Sequence, residues 1–321
     1  MNLPEITVLM PAYNAGKYIA EAIASVLAQS FGNFELLVIN DGSTDNTDEV
    51  VKTFTDERIR LINQPHMGIA AALNLGLLNA AAALIARFDA DDICYPQRLR
   101  LQYDYLQAHP DYVLTGSDVN YADQSGGHLY QYTNAGHTHQ EISDTITLCC
   151  PFIHSSVMFR KNIALQLGGY DAKAHTFEDY HLWIKFIKKG SVCNLRIPLI
   201  TVRLNPESVT IDEKLRGKRF ADLKKEMLFQ KGAITPEQER ELLVILEAQR
   251  FTGFKNYSYN ILVAKKYLWN NYQPVKAREN AKKAIGFKPL QVTGYGLWFL
   301  SYLPKNIVAK FYSKYKILSA S

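Results

Sequence analysis

The sequence predicts an α/β protein: a mainly parallel sheet flanked by helices, with a helical extension toward its C-terminal end. Three observations predict it. Over the first hundred residues, short apolar runs alternate with helical-period segments of about 10 to 15 residues, the rhythm of parallel strands joined by right-handed crossovers. Three strand ends carry polar clusters, as expected where ligands bind outside the carboxyl edge of such a sheet. Beyond Asp212 the pattern turns helical throughout.

The elements follow in order. Ile6–Met10 reads as a buried strand, and Tyr18–Gln29 as a helix with Ile19, Ile23, Val26 and Leu27 on one face. Phe34–Ile39 is a second strand. Thr47–Phe54 is a short helix with Thr44 or Asp45 placed to cap it. Arg58–Ile62 is a third strand. The alanine-rich run Ile69–Ala83 predicts a helix able to approach a sheet closely, and Leu84–Phe88 is a fourth strand. Pro96 opens a helix to about Ala108, proline being suited to a first turn. Tyr112–Gly116 and Ser155–Phe159 are strand-like. Asp123–His139 is polar and glycine-rich and reads as a loop near the site, and Glu178–Phe186 starts a helix. Two domains are expected, 1–212 and 213–321, with no internal repeat.

The chain has 321 residues, of which 47% are hydrophobic and 21% charged, enough to bury a large core. Its four cysteines, Cys94, Cys149, Cys150 and Cys193, fit neither a zinc site nor a disulfide framework, so a reducing, cytoplasmic setting is expected. No secretory leader or bilayer-spanning run is visible. The net charge is uneven. Lys255–Ser321 holds 12 Lys or Arg against one acid, Glu279, so this tail carries +11 and the remainder of a +5 chain carries −6. A basic tail on an acidic body points to an anionic surface as partner.

The most informative run is Phe88-Asp89-Ala90-Asp91-Asp92, three carboxylates in four residues at the tip of a predicted buried strand. Such groups repel one another, and burial is costly to each. A divalent cation removes both penalties, since hard oxygen ligands suit Mg²⁺ or Mn²⁺. Taken alone, the triplet is short and common, and is also the pattern of a solvated acidic loop. Two further clusters, Pro11-Ala12-Tyr13-Asn14 and Asn40-Asp41-Gly42-Ser43-Thr44-Asp45, end the first two strands and so share the same sheet edge.

With Val8-Leu9-Met10-Pro11-Ala12-Tyr13-Asn14, Asn40–Asp45, Ala86–Asp92, His154-Ser155-Ser156-Val157-Met158 and Glu178-Asp179 in this order and spacing, the chain resembles family 2 of the glycosyltransferases. Those enzymes invert configuration and have the GT-A fold, a Rossmann-like nucleotide-binding architecture. The resemblance spans about residues 5–205 and leaves the tail uncovered. It implies a metal-dependent transfer of a sugar from a nucleotide donor, most simply a uridine diphosphate sugar, to a glycan or lipid-linked glycan in bacterial surface polysaccharide synthesis.

The resemblance also assigns roles. Asp41 would receive the uracil or ribose, a task that suits an acceptor-only carboxylate, although Asp41-Gly42 alone is also a turn signal. Pro11, Ala12, Tyr13 and Asn14 would line the base pocket, with the Tyr13 ring offered for stacking. Asp45 either contacts the nucleotide or caps the next helix. Asp91 would hold the metal, with Asp89 reaching the metal or the ribose. Arg87 either pairs with these acids near the nucleotide or makes a structural ion pair. Asp179 would be the base that takes the acceptor's proton and Glu178 would orient the acceptor or a neighbouring loop, although two acids at a helix start are a common pattern. Asp92, His154 and Arg203 are candidate acceptor or phosphate contacts. Three positions depart from the family pattern: Asn205 stands for a usual histidine, His181 for a common aspartate, and His66 for a frequent asparagine, the last given little weight.

The tail mixes aromatics with lysines. Leu297–Pro304, followed by Lys305, Lys310, Lys314 and Lys316, reads as an interfacial segment suited to an anionic membrane surface, placing the protein peripherally at the inner face of the cell membrane. The alternative is a helical bundle that packs on protein. No nucleic-acid module is visible. Two other functions compete. A sugar-phosphate nucleotidyltransferase would carry a glycine-rich basic loop where Pro11–Lys17 stands. A non-catalytic nucleotide-sugar-binding subunit has no use for Asp179.

Overall fold

The computed structural model describes residues 3–206, 211, 216–248 and 252–320, with the backbone alone at 252 and 313–320. The boundary expected at 212 and the side chains of Lys314, Tyr315 and Lys316 lie outside the described residues. The chain forms two compact units. The first comprises residues to Asn120, Gln131–Val202 and Met227–Ile234. The second comprises Tyr121–Tyr130, Arg203–Glu226 and Thr235–Ser321.

The first half of the sheet is built as the alternation of periods predicts. Strands β1 (Ile6–Ala12) and β2 (Phe34–Asp41) are buried at every residue, which is why they read as continuous apolar runs. Strands β3 (Ile59–Gln64) and β4 (Leu84–Arg87) complete a parallel set in the order β3-β2-β1-β4. Helix α1 (Ile19–Leu27) buries Ile19, Ala22, Ile23 and Val26, one stripe at helical spacing. Helix α2 (Thr47–Lys52) is short. Helix α3 (Ile69–Asn79) lies so close to the sheet that a Cβ at Gly76 would stand 2.1 Å from Leu9 Cδ1. It ends at Asn79, earlier than the alanine run suggests.

Beyond β4 the sheet changes sense. The two-residue strand β5 (Ile93–Cys94) and helix α4 (Arg98–Ala108) precede β6 (Tyr112–Ala122) and β7 (His128–Tyr132). After helix α5 (His139–Thr145) come β8 (Met158–Arg160), α6 (Lys161–Gln166), α7 (Glu178–Ile187) and β9 (Ser191–Arg203). The pairs β4–β8, β6–β8 and β5–β9 are antiparallel, giving the full order β3-β2-β1-β4-β8-β6-β9-β5 with β7 on β6. The expected loop 123–139 therefore contains a strand, β7, and its first part belongs to the second unit. The expected strand 155–159 is a 3₁₀ turn at His154–Ser156 followed by the short β8. β9, the longest strand at 13 residues, has no simple alternation in the sequence, because its burial changes along its length.

The core beneath the parallel strands joins Leu9, Leu37, Ile85, Leu73 and Leu77 to Phe159 and Phe186 around the fully buried Trp183. Arg98, also fully buried, stitches the sheet from below. Its Nη2 donates to the carbonyls of Arg87 (2.7 Å) and Val157 (3.2 Å), and its Nε to Gln102 Oε1 (3.0 Å). These bonds satisfy backbone groups where β4 and the chain before β8 end.

The second unit is helical apart from the β6–β7 tip. It contains most of α8 (Gly217–Phe229), with α9 (Pro236–Glu247), α10 (Thr252–Trp269), α11 (Pro274–Phe287), α12 (Val292–Leu300) and α13 (Lys305–Ala320). Thr235 and Gln238 form a capping box at the start of α9, with Pro236 in the first turn. The small residues Ala277, Ala281 and Ala284 of α11 pack in a core with Tyr267, Leu297 and Val308. Tyr267 also donates to Asp123 Oδ2 of the hairpin tip at 2.6 Å. Among the described residues, no helix is long and apolar enough to cross a membrane.

Candidate functional site

The loops after β1 and β2 are tied to each other before any ligand is considered. Asn14 takes a positive φ of 49°. Its Oδ1 accepts from the Thr44 amide at 2.8 Å, and its own amide donates to Ser43 Oγ at 3.0 Å. Asp45 accepts from the Gly16 amide at 3.0 Å on one oxygen and from the Thr47 amide at 3.0 Å on the other. Burial works against ionised Asp45, but these bonds and that of the Thr47 hydroxyl outweigh it, so its pKa lies below the usual carboxylate range. Pro11 and Ala12 are buried in the last turn of β1, paired with Ile39 and Asn40.

Asp41, at the end of β2, is buried and organises the loop after β3. Its Oδ1 accepts from Gln64 Nε2 (2.5 Å) and the Met67 amide (2.9 Å), and its Oδ2 from the Gly68 amide (2.9 Å). His66 Nδ1 stands 2.9 Å from the same Oδ2. Three donors thus converge on one carboxylate, with the His66 ring nitrogen beside them. The close approach of this loop also explains Gly42, which has φ 69°, and where a Cβ would lie 2.5 Å from the His66 nitrogen. The arrangement presses the His66 ring onto Tyr13, centroids 4.0 Å apart.

After β4 come the acids. The nearest carboxylate oxygens of Asp89, Asp91 and Asp92 lie within 4.8 Å of one another, with Asp92 buried. Arg87, buried under this loop, pairs through Nη1 with Asp89 Oδ2. Burial alone would favour its neutral form, but the charge of Asp89 outweighs that and holds the guanidinium charged. The Asp89 amide donates to Ser155 Oγ at 3.1 Å, which joins the acidic loop to the turn containing His154. Three hard oxygen donors, beside the buried guanidinium of Arg87, fit a divalent ion.

Glu178 and Asp179 begin α7. Glu178 is 6% exposed, and its Oε2 has no hydrogen-bond partner. Burial, then the charge of Asp179, pushes its pKa up to about 8. Asp179 is half-buried. The two motifs share one electrostatic neighbourhood: Arg87 and Asp89 act on Glu178, and all four groups act on the buried Tyr170 phenol, whose pKa rises mainly through burial. Tyr170 lies 3.2 Å from His154 Nε2. His154 also packs edge-on against Trp183, and burial and Arg87 together hold it neutral.

Other candidates are placed differently. Arg203 falls in the second unit, where its Nη1 donates to the Gln124 carbonyl at 3.4 Å. His181 is buried, its Nδ1 3.9 Å from Asp171 Oδ2. Arg98 and Tyr170, which the sequence reading did not single out, and His66, which it gave little weight, carry structure around the site. For His66, given little weight, the structure supplies the reason to revise. The signal was its place two residues before Gly68, but partnership with Tyr13 and Asp41 across three loops is invisible along the chain.

Comparison with known proteins places the chain in a family. A family model described as glycosyl transferase family 2 matches residues 7–166. The amylovoran biosynthesis glycosyltransferase AmsE of Erwinia amylovora is 30% identical over 217 residues, 66% of this chain and 79% of AmsE. Across such relatives the match spans from about a third to about four fifths of the relative's own length. Two solved structures share the fold. TarS 1-349 of S. aureus in complex with UDP-GlcNAc has a TM-score of 0.53 at 15% identity, covering 97% of this chain and 92% of that one. The mannosyltransferase PcManGT of Pyrobaculum calidifontis, in complex with GDP-Man and Mn²⁺, has a TM-score of 0.52 at 16% identity, covering 97% and 87%. The chain therefore belongs to glycosyltransferase family 2 and is a glycosyltransferase with a GT-A-like α/β fold.

Proposed function

We propose that this enzyme is metal-dependent and inverting. It would move a sugar from a nucleotide donor, a uridine diphosphate sugar, to a glycan or lipid-linked glycan acceptor of a bacterial surface polysaccharide, on the cytoplasmic side. The observation that carries this reading is the convergence of Glu178 and Asp179 with Arg87 and Asp89 in one electrostatic neighbourhood. A donor-holding group and a base must meet at one carbon, and these two motifs are 87 residues apart from Asp92 to Asp179.

The acceptor hydroxyl attacks the anomeric carbon. Its new C–O bond forms as the bond to the diphosphate oxygen breaks, and configuration inverts. Asp179 takes the hydroxyl proton, and the bonding pair leaves on the diphosphate. Glu178, holding its own proton, spares Asp179 a second negative charge at close range; unlike environments divide the roles of adjacent carboxylates in this way. Asp91 and Asp89, with Asp92 behind them, would hold Mn²⁺ or Mg²⁺, which when bound neutralises charge on the diphosphate. Arg87 fixes Asp89. Tyr13 and His66 border the nucleotide, and Asp41 sets the loop that carries His66. AmsE, named for the synthesis of a polysaccharide, supports the acceptor class.

TarS and PcManGT carry different bases on one fold, so the fold alone does not choose between uridine and guanosine. Calorimetry with a panel of nucleoside diphosphates, with and without Mn²⁺, tests the choice. Tight binding of uridine diphosphate only with metal supports the reading. Preference for guanosine diphosphate overturns the base, and equal binding without metal overturns the metal role of Asp91.

A further inference from the structure

Helix α12 turns one face inward and one face outward, and the outward face is apolar. Gly294 and Leu297 are buried. A Cβ at Gly294 would lie 2.9 Å from Ile285 Cγ1, so α12 rests closely on α11 there. Val292, Tyr295 and Phe299 stand three and four residues apart, the spacing of one helix face, and all three are exposed, Val292 at 79% and Phe299 at 62%. Leu290, in the turn before the helix, is 95% exposed, and Tyr302, in the turn after it, is 53% exposed. The stripe differs from the apolar run read along the sequence, since Leu297 points into the core and Trp298 is half-buried.

Its surroundings are positive. Lys282 and Lys283 of α11 are exposed and directly follow Ala281, whose carbonyl lies beside Gly294. Lys305 is exposed at the start of α13. Arg278 places its guanidinium 3.6 Å from the centre of the Tyr302 ring and donates to the Ser301 carbonyl at 3.2 Å, which fixes the chain at the end of the stripe. From Lys255 onward the only acid is Glu279.

We infer that the α12 face, formed by Leu290, Val292, Tyr295, Phe299 and Tyr302, docks on the surface of a lipid bilayer with anionic headgroups. Charge decides among occupants. A second copy meeting this face with its own α12 face would oppose its lysines with lysines of the same sign. A bilayer surface bearing negative headgroups accepts the lysines while its acyl boundary takes Leu290, Val292 and Phe299, and the rings of Tyr295 and Tyr302 suit headgroup depth. The inference stands apart from the catalytic reading, since it involves none of its residues.

The test is co-sedimentation of the full chain with vesicles of phosphatidylcholine, alone or mixed with phosphatidylglycerol. The wild type should bind the mixed vesicles and not the neutral ones. L290S/V292S/F299S should bind them about tenfold more weakly or less, and K282E/K283E should weaken binding and flatten its salt dependence. These side chains are exposed, so both variants should keep the wild-type thermal melt and nucleotide affinity. Absent capture, capture indifferent to the stripe, or equal capture by neutral vesicles overturns the inference. So does a dimer in light scattering that the stripe variant dissociates without any vesicle capture, which would make a second copy the occupant.

Discussion

The imidazole of His66 lies flat on the ring of Tyr13, with centroids 4.0 Å apart and planes 19° from parallel. The stack joins the loop after β1 to the loop after β3, and Asp41 at the end of β2 holds the His66 nitrogen at 2.9 Å. A base stacking here meets a two-ring platform set by a buried carboxylate. His66→Ala should weaken uridine diphosphate binding about tenfold, the usual worth of one aromatic stacking partner. Calorimetry checks it, and unchanged or tighter binding would mean that His66 shields Tyr13 from the base.

Asp179→Asn should lower turnover by about a thousandfold while leaving nucleotide affinity within about twofold, because a general base acts on the acceptor and not on the bound donor. Initial rates and calorimetry on the same preparation separate the two quantities. Full turnover would remove Asp179 as the base.

Glu178 links stability to pH. Its folded pKa of about 8 lies above the ordinary 4.5, so the folded chain keeps a proton that the unfolded chain has lost. Its stabilising contribution is complete below pH 4.5 and disappears as pH rises toward about 8. Over that window the metal-free protein should lose up to about 1.4 kcal/mol per pH unit relative to Glu178→Gln, which lacks the titration. Urea melts of both proteins in chelator across the window check the sign. Parallel stability curves would show that Glu178 ionises normally in the fold.

Gly42→Ala combines a positive φ with a Cβ 2.5 Å from the His66 backbone nitrogen. It should destabilise the fold by about 1–3 kcal/mol. It should also loosen the Tyr13–His66 stack, so that nucleotide affinity falls with it. A thermal melt and a uridine diphosphate titration check the pair. A variant with native stability would show that the loop yields at little cost.

Most of the parallel half of the sheet was legible. Ile6–Met10, Phe34–Ile39 and Leu84–Phe88 are apolar on both faces, and the intervening helices carry their stripes at helical spacing, so periodicity alone marked them. The antiparallel half was less so. β8 is three residues long and β9 changes burial along its length, and neither leaves a clean period. The acids Asp89, Asp91 and Asp92 could be picked out because their costly clustering is local in sequence. The tie of Asp41 to Gln64, Met67 and Gly68 could not, since it depends on how near two loops come.

By itself, then, the sequence determined the α/β class, the strand ends that carry polar residues, and the membership of a family marked by five ordered motifs. These follow from local periods and from short runs of costly side chains. Only the tertiary structure decided which groups act on one another: that Glu178 is buried beside a more exposed Asp179, that Glu178 lies in the field of Arg87 and Asp89, and that Leu297 turns inward while Phe299 faces out. Burial and electrostatic coupling belong to distances across the fold, and no pattern along the chain encodes them directly.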